Sequence, residues 1–183
     1  MNLTGQLLIS MPSLVDERFE KTVIYMCAHS KDGAMGIIIN KKIDYDLYPD
    51  LLEQLGIDQP MLDKKLYIRY GGPVESGRGF VLHSDEVIQK ETLSISKGIA
   101  LTSTSEFFDD LSKGNGPKNS ILALGYAGWE PGQIELELSS NNWMTLNTDS
   151  NFIFDDSVSN KWKDAYNILG IDPNKLSHLS GSC

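Results

Sequence analysis

The segment YGGPVESGRGFVLHSD, residues 70 to 85, combines four glycines with an arginine, a glutamate and a histidine around a run of strand-forming residues. Glycines permit positive φ angles and let a ligand approach backbone N–H groups, which is how anion-binding nests are built. Under that interpretation Gly72, Glu75 and Arg78 bind a ligand, and Arg78 offers a guanidinium fork to a phosphate or carboxylate. A glycine-rich hairpin with a tight turn explains the same residues. The spacing matches neither a P-loop nor a dinucleotide-binding fingerprint.

Short strands flank this segment on both sides. An apolar run from Thr22 to His29 is followed by the turn SKDG and by the β-branched run GIIIN at residues 36–40, which together predict a hairpin. Period-2 geometry places Cys27 and His29 on the same face of the first of these strands. Further strands are predicted at residues 5–10, 66–70, 79–84, 93–96, 99–103, 120–128, 143–147 and 152–154.

Helices are predicted between the strands. Residues 49–56 carry a proline in the first turn and end at a glycine. Residues 103–106 form a capping box, Ser-Thr-Ser-Glu, that begins a helix ending near Gly114, and residues 158–170 form a last helix ended by a glycine. Residues 131–140, PGQIELELSS, alternate like a strand yet have the proline and the Gln/Glu content of a helix. This order of elements predicts an α+β fold.

Size and charge narrow the class of protein. The chain of 183 residues, 40% apolar and 22% charged, suits a single domain. Its formal charge of −9 argues against direct nucleic-acid binding, because phosphate contacts need clustered Lys and Arg. The N-terminus lacks a signal-peptide pattern and no segment has the ~20 apolar residues of a membrane span, so we expect a cytoplasmic protein without membrane association. We expect Cys27 and Cys183 to stay reduced there.

Four blocks of the chain form a specific pattern. They are GQLLISMPSLVDERFEKTVIYMCAH with GAMGIIINK, then YGGPVESGRGFVLHS, then LGYAGWEPGQIELEL with NNWM, and finally FIFD with KWKDAYNILGID. With these blocks the chain resembles the bacterial AlgH/YqgE family over nearly its whole length. The resemblance implies a single-domain α+β fold with a small closed barrel-like, mostly antiparallel sheet flanked by helices, and it implies that PGQIELEL is helical. It also implies a regulatory label, linked in some bacteria to alginate control, with no agreed catalytic activity. A family name does not supply a mechanism.

Seven residues form the candidate ligand-binding site. The two histidines among them each follow an apolar strand, and imidazole is suited to acid–base work near neutral pH. Trp129 anchors a ligand or a protein partner if it is exposed, and packs a helix onto the sheet if it is buried. Asn40 either caps a turn or orients a ligand. The seven residues are His29, Asn40, Gly72, Glu75, Arg78, His83 and Trp129.

Metal and covalent chemistry have less support. Cys27, His29 and His83 lack the close repeats of Cys and His that zinc sites show, so neither a metal nor a cofactor is expected. The candidate nucleophiles are Cys27 and Ser84, but no strand-turn-helix G-x-S-x-G elbow is present.

These observations favour a regulatory or binding module that takes a small anionic ligand or a protein partner. One alternative is a hydrolase or transferase acting on a phosphorylated or nucleotide-like compound, and another is a transcriptional regulator that acts indirectly. Mutual geometry separates binding from catalysis. The enzyme interpretation requires Arg78, His83 and His29 to line one pocket, whereas dispersed side chains or histidines sealed in the core favour binding.

Overall fold

A computed structural model describes residues 1–43 and 68–176. The nine strands within these residues are β1 (Leu7–Ser10), β2 (Val23–Ser30), β3 (Gly33–Ile38), β4 (Ile68–Tyr70), β5 (Val74–Ser84), β6 (Leu93–Ser96), β7 (Ile99–Thr102), β8 (Ser120–Trp129) and β9 (Trp143–Leu146). The helices are α1 (Ser105–Ser112), α2 (Gln133–Ser139), α3 (Ser150–Phe154), α4 (Lys161–Leu169) and α5 (Pro173–Leu176), with a 3-10 turn at Glu17–Phe19. The helix predicted at residues 49–56 and the residue Cys183 lie outside the described residues.

The strands form one sheet in the order β6-β7-β5-β8-β3-β2-β1-β9, with β4 also paired to β8. Every pairing is antiparallel except that of β4 with β8. The α+β class, the mostly antiparallel sheet and the hairpin of β2 with β3 are therefore confirmed. The predicted closed barrel-like sheet is wrong, because β6 and β9 are edge strands and no bridge joins them within the described residues.

Apolar side chains fill both faces of the sheet. The largest core takes side chains from β1, β2, β3, β5, β7, β8 and β9 and is covered by α3 and α4. On the other face α2 covers a second core and α1 a third. Alternate residues of β2 serve opposite faces, since Tyr25 lies in the largest core and Met26 in the second.

A β-bulge in β2 changes the face on which His29 lies. Met26 pairs with Gly36 and Ala28 with Met35, so β2 has one extra residue between these pairs. His29 consequently pairs with Ala34, which packs on the second core, whereas Cys27 lies in the largest core. The prediction that Cys27 and His29 share a face is wrong because the bulge interrupts the period of two.

The glycine-rich segment that follows β4 is a crossing of two backbones. Residues Leu122–Leu124 of β8 pair with β4 on one side and with β5 on the other, so the intervening chain passes across β8 and does not form a hairpin. Gly72 has φ +151°, and a Cβ there would lie 2.1 Å from the carbonyl carbon of Tyr126. Gly125 has φ +68°, and its Cβ would lie 2.4 Å from the oxygen of Gly72. Only glycine allows the two backbone segments to approach this closely.

Helix α1 begins one residue later than the predicted capping box. Its cap is Thr104, whose side-chain oxygen accepts the N–H of Phe107 at 3.3 Å. The Ser103 hydroxyl accepts a hydrogen bond from Arg78 instead, at 3.0 Å.

The C-terminal elements show one wrong prediction and two confirmed ones. Residues 152–154 belong to a helix and not to a strand, because the Asp149 carboxylate accepts the N–H of Phe152 at 3.1 Å and caps the first turn. PGQIELEL contains the helix that the family resemblance implied. Gly170 ends α4 in the left-handed conformation, with φ 69°.

Candidate functional site

A cavity of about 420 Å³ lies between the loop of residues 13–19, Pro73–Val74, the end of β8 and helix α2. We call it the Glu137 cavity, since Glu137 lines it together with aromatic side chains. Strand β8 brings Trp129 to this place and α2 brings Gln133 and Glu137, which are one helical turn apart and therefore on one face.

Three N–H donors bind the Glu137 carboxylate. Its Oε2 accepts the indole N–H of Trp143 at 2.7 Å and that of Trp129 at 3.0 Å. Its Oε1 accepts the amide N–H of Gln133 at 2.8 Å. The Gln133 amide oxygen in turn accepts the backbone N–H of Glu130 at 3.0 Å, which orients this amide. The carboxylate is thus held in one position by groups from β8, α2 and β9.

The hydrogen-bond donors around the Glu137 carboxylate are uncharged. Its side chain is half-buried. The ion pairs within residues 1–43 and 68–176 do not include Glu137. Dipoles from two indoles and one amide therefore stabilise a carboxylate that faces a cavity.

Aromatic rings and one ion pair complete the walls. The ring of Trp143 meets Phe19 edge-on at 5.7 Å and Trp129 at 6.2 Å between centroids. Arg18 and Asp16 also line the cavity and form an ion pair, with Nη2 2.7 Å from Oδ2. The hydrogen bond from the Arg18 side chain lowers the pKa of the Asp16 carboxyl. Arg18 is therefore already paired.

A second cavity of about 500 Å³ adjoins the first. We call it the Tyr126 cavity, because Tyr126 and Met35 form part of its apolar lining. It has four residues in common with the Glu137 cavity, which are Val74, Gly128, Trp129 and Gln133.

The predicted residues His29 and Asn40 have structural partners. The His29 Nδ1 accepts the backbone N–H of Leu3 at 3.1 Å, and its Nε2 donates to Glu135 Oε1 at 2.9 Å. Asn40 accepts the N–H of Val23 at 2.8 Å through Oδ1 and donates to a backbone carbonyl at 2.9 Å. Both side chains tie the start or end of a strand to a neighbouring segment.

The predicted anion-binding residues Glu75 and Arg78 lie in an exposed, irregular segment of β5. Between Val74 and Gly79 the pairing with β8 shifts, and residues 75–78 are all exposed. Arg78 donates to Glu75 Oε2 at 3.0 Å and lies 5.1 Å above the ring of Phe80. Its guanidinium is thus bound to a carboxylate of its own chain, and Gly72 belongs to the backbone crossing.

His83 is sealed in the third core. It is 0% exposed and lies 4.5 Å from the ring of Phe107. Its Nδ1 donates to the Ser84 carbonyl at 2.9 Å and its Nε2 accepts the Thr102 hydroxyl at 2.8 Å. Burial lowers the pKa of His83, which keeps the ring neutral. His83 and Arg78 contact different cores and hence opposite faces of β5.

The structure therefore disperses most of the predicted site. Of the seven residues, Trp129 lines both cavities, and it is buried with 7% of its surface exposed. Sequence reasoning missed Glu137, Trp143 and Phe19. The spacing of Gln133 and Glu137 was the one usable signal, since residues four apart share a helix face.

Other chemical groups in the described residues are buried or scattered. Burial raises the pKa of the Cys27 thiol to about 12. No group of three or more His, Cys, Asp or Glu side chains within residues 1–43 and 68–176 is arranged to hold a metal. Over the same residues no helix has the length and apolar character needed to cross a membrane.

Comparison with known proteins gives concordant results. Residues 7–174 match a family model described as AlgH-like. A UPF0301 protein of Bradyrhizobium diazoefficiens is 48% identical over 98% of this chain and 87% of its own length. A UPF0301 protein of Rhodospirillum rubrum is 45% identical over 98% of this chain and 93% of its own.

Two solved structures share the fold. The solution structure of AlgH from Pseudomonas aeruginosa has a TM-score of 0.81 at 36% identity, covering 100% of this chain and 95% of that one. A crystal structure of a Corynebacterium diphtheriae protein has a TM-score of 0.68 at 17% identity, covering 90% and 85%, and shows a likeness of fold alone. The match over residues 7–174 and the identity to these relatives mean that the chain belongs to the AlgH-like, UPF0301 family.

Proposed function

We propose that this protein is a binding module whose Glu137 cavity accepts a cationic amine attached to an apolar body. The observation that carries the proposal is the half-buried Glu137 carboxylate, which faces the cavity with three neutral donors and no cation among the described ion pairs. A charge withdrawn from water is costly unless an opposite charge accompanies it. An ammonium group supplies that charge.

The rest of the cavity suits the same ligand. A carboxylate has about four lone-pair sites, and within residues 1–43 and 68–176 three are used by the indole and amide donors, so among these residues one is left for an ammonium N–H. The rings of Phe19, Trp129 and Trp143 offer apolar contact and attract cations. The formal charge of −9 raises the local concentration of cations around the protein.

Binding is better supported than catalysis. His29, Arg78 and His83 do not converge on one pocket, and each already has a partner within the protein. The predicted anionic ligand is not part of this proposal, because Arg78 is paired with Glu75 and with Ser103. An indirect regulatory role stays a prediction. Binding of a ligand by this protein would be compatible with such a role.

The test is an NMR titration with n-butylammonium as the probe. The chain has three tryptophans, whose indole N–H signals report separately. The indole N–H groups of Trp129 and Trp143 donate to Glu137, whereas that of Trp162 donates to the Ser10 carbonyl. We expect saturable shifts of the first two signals, an unchanged third signal and no response to butyrate. Absence of a saturable shift, or an equal response to butyrate, would overturn the proposal.

A matched pair of variants strengthens the test. Glu137→Gln keeps the shape of the side chain and removes its charge, so we expect butylammonium to bind at least tenfold more weakly. Glu135→Gln removes a charge from the same helix, but Glu135 bonds to His29 and lines neither cavity. The Glu135→Gln variant should bind butylammonium as tightly as the wild type does. Equal loss in the two variants would assign the effect to net charge alone and would overturn the proposed site.

A further inference from the structure

Resting on the proposed function, we infer that the occupant of the Glu137 cavity is a lysine-bearing segment of a partner protein, bound in extended form as an added strand along β8 at Gly128. Its lysine ammonium reaches Glu137, and a neighbouring apolar side chain enters the Tyr126 cavity.

The two cavities adjoin at the end of β8, and we treat them together as one groove. They have volumes of about 420 and 500 Å³ and meet at Val74, Gly128, Trp129 and Gln133. A small amine fills only one of them. An extended peptide places successive side chains along a groove of this kind, and pockets for those side chains provide specificity.

The groove runs beside a strand edge. Ala127, Gly128 and Trp129 pair with β3 on one side. On the other side, within the described chain, pairing with β5 ends at Tyr126 opposite Val74. The residue before Val74 is Pro73, which has no N–H to continue the ladder. Because successive strand residues direct their N–H and C=O groups to alternate sides, this stretch presents backbone groups to the groove.

Gly128 leaves the face of β8 beside that edge uncovered. It is exposed, and a Cβ at this position would lie 3.2 Å from Cε2 of Tyr126 and 3.6 Å from Cγ2 of Val74. Because strand side chains stand perpendicular to the sheet, a side chain here would occupy the Tyr126 cavity and not the strand edge. Its absence leaves that cavity open to a side chain of an added strand.

The charge of the groove selects a basic partner. Asp32 and Glu130 line the Tyr126 cavity, and Asp16 and Glu137 line the other. Among the described residues that line the two cavities, the basic one is Arg18, which is paired with Asp16. Electrostatic complementarity of this kind speeds association and rejects acidic partners.

The probe is the peptide acetyl-Val-Lys-Val-Lys-Val-amide, carrying a fluorophore for anisotropy. Two analogues are N-methylated, one at the lysines and one at the valines, so that each lacks the backbone donors of one strand edge. We expect the parent to bind and at least one analogue to bind tenfold more weakly, because strand addition needs those donors. If both analogues bind as tightly as the parent, strand addition is overturned while the amine site stands.

Variants at two glycines give an independent readout. Gly128→Val fills the Tyr126 cavity beside the edge, so the peptide should bind at least tenfold more weakly. Gly77→Ala is the control, since a Cβ there has nothing within 4 Å. If Gly128→Val binds the peptide as tightly as the wild type does, the inference is overturned. It is also overturned if the wild-type protein binds butylammonium but not the peptide. Failure of both probes would overturn the proposed function as well.

Discussion

The indole nitrogen of Trp143 lies 2.7 Å from Oε2 of Glu137, and this hydrogen bond joins the first residue of β9 to the last turn of α2. The same oxygen accepts the indole N–H of Trp129 from the end of β8. One carboxylate therefore links three consecutive elements and also faces the cavity. The contact that orders this region is the contact that a cationic ligand would meet.

A double-mutant cycle measures this link. Trp143→Phe removes the donor and Glu137→Gln removes the charged acceptor. Hydrogen bonds to charged groups contribute about 1.5–3 kcal/mol, so we expect a coupling of about 1–2 kcal/mol in the free energy of unfolding, measured by urea denaturation. The control cycle pairs Glu137→Gln with Trp162→Phe, whose indole donates to Ser10. It should be additive within about 0.5 kcal/mol. Additivity in both cycles would contradict the link.

The backbone crossing predicts a severe effect of a methyl group at Gly72. Gly72→Ala places a Cβ 2.1 Å from the Tyr126 backbone at φ +151°, which neither chain can relieve without moving. We expect a loss of about 3 kcal/mol or more in unfolding free energy, or failure to fold. Gly77→Ala, in open space, should change stability by less than about 0.5 kcal/mol. Comparable stability of the two variants in thermal and urea unfolding would contradict the crossing.

His83 makes stability depend on pH. Burial lowers its pKa in the folded protein, whereas the unfolded chain takes up a proton near the ordinary value of 6.5. As the pH falls through that value the unfolded state binds more protons, so the unfolding free energy decreases, by at most about 1.4 kcal/mol per pH unit from this group. The contribution is fully present above the unfolded-state pKa.

The measurement compares urea unfolding of wild type and His83→Gln at about pH 7.5 and about pH 5.5. Carboxylates titrate in both proteins, so the difference between the two pH dependences reports on His83. The wild type should lose more stability on acidification than the variant. Parallel pH dependences would show that the folded protein binds a proton at His83 as readily as the unfolded chain.

The Cys27 thiol should be inert in the native protein. Burial raises its pKa to about 12, and the thiolate is the reactive form. In a Cys183→Ser background, which leaves Cys27 as the one cysteine of the sequence, native protein at about pH 8 should not react with a disulfide reagent over minutes. The same protein in guanidinium chloride should react with one equivalent. Rapid reaction of the native protein would refute the burial of Cys27.

Local patterns predicted many elements well. The strand from Val23 to Ser30, the paired strands β6 and β7 and the end of α4 at Gly170 all follow from alternation or from helix-stop signals. Residues 152–154 were misassigned because three apolar residues cannot distinguish a strand from a helix. The capping aspartate Asp149 decides that case.

The structure separates most residues of the predicted site. His29 changes face through a one-residue bulge that is visible only in its pairing with β3. Arg78 and Glu75 are close in sequence and bind each other, so the guanidinium expected to hold an anion is already paired with a carboxylate. The sequence pattern does not single out Glu137, because a glutamate on an amphipathic helix is common and its two indole donors are distant in the chain.

Composition and local sequence patterns suffice to predict the acidic charge, the α+β class, most strands and the AlgH-like family, because each depends on composition or on residues near one another in the chain. Contacts between distant segments fix the crossing of Gly72 and Gly125, the open sheet within the described residues, and the meeting of Trp129, Glu137 and Trp143 beneath the loop of residues 13–19. Register, bulges and chain crossings arise from pairing between such segments. Local periodicity shows which face of a strand is apolar, but not which distant segment pairs with it.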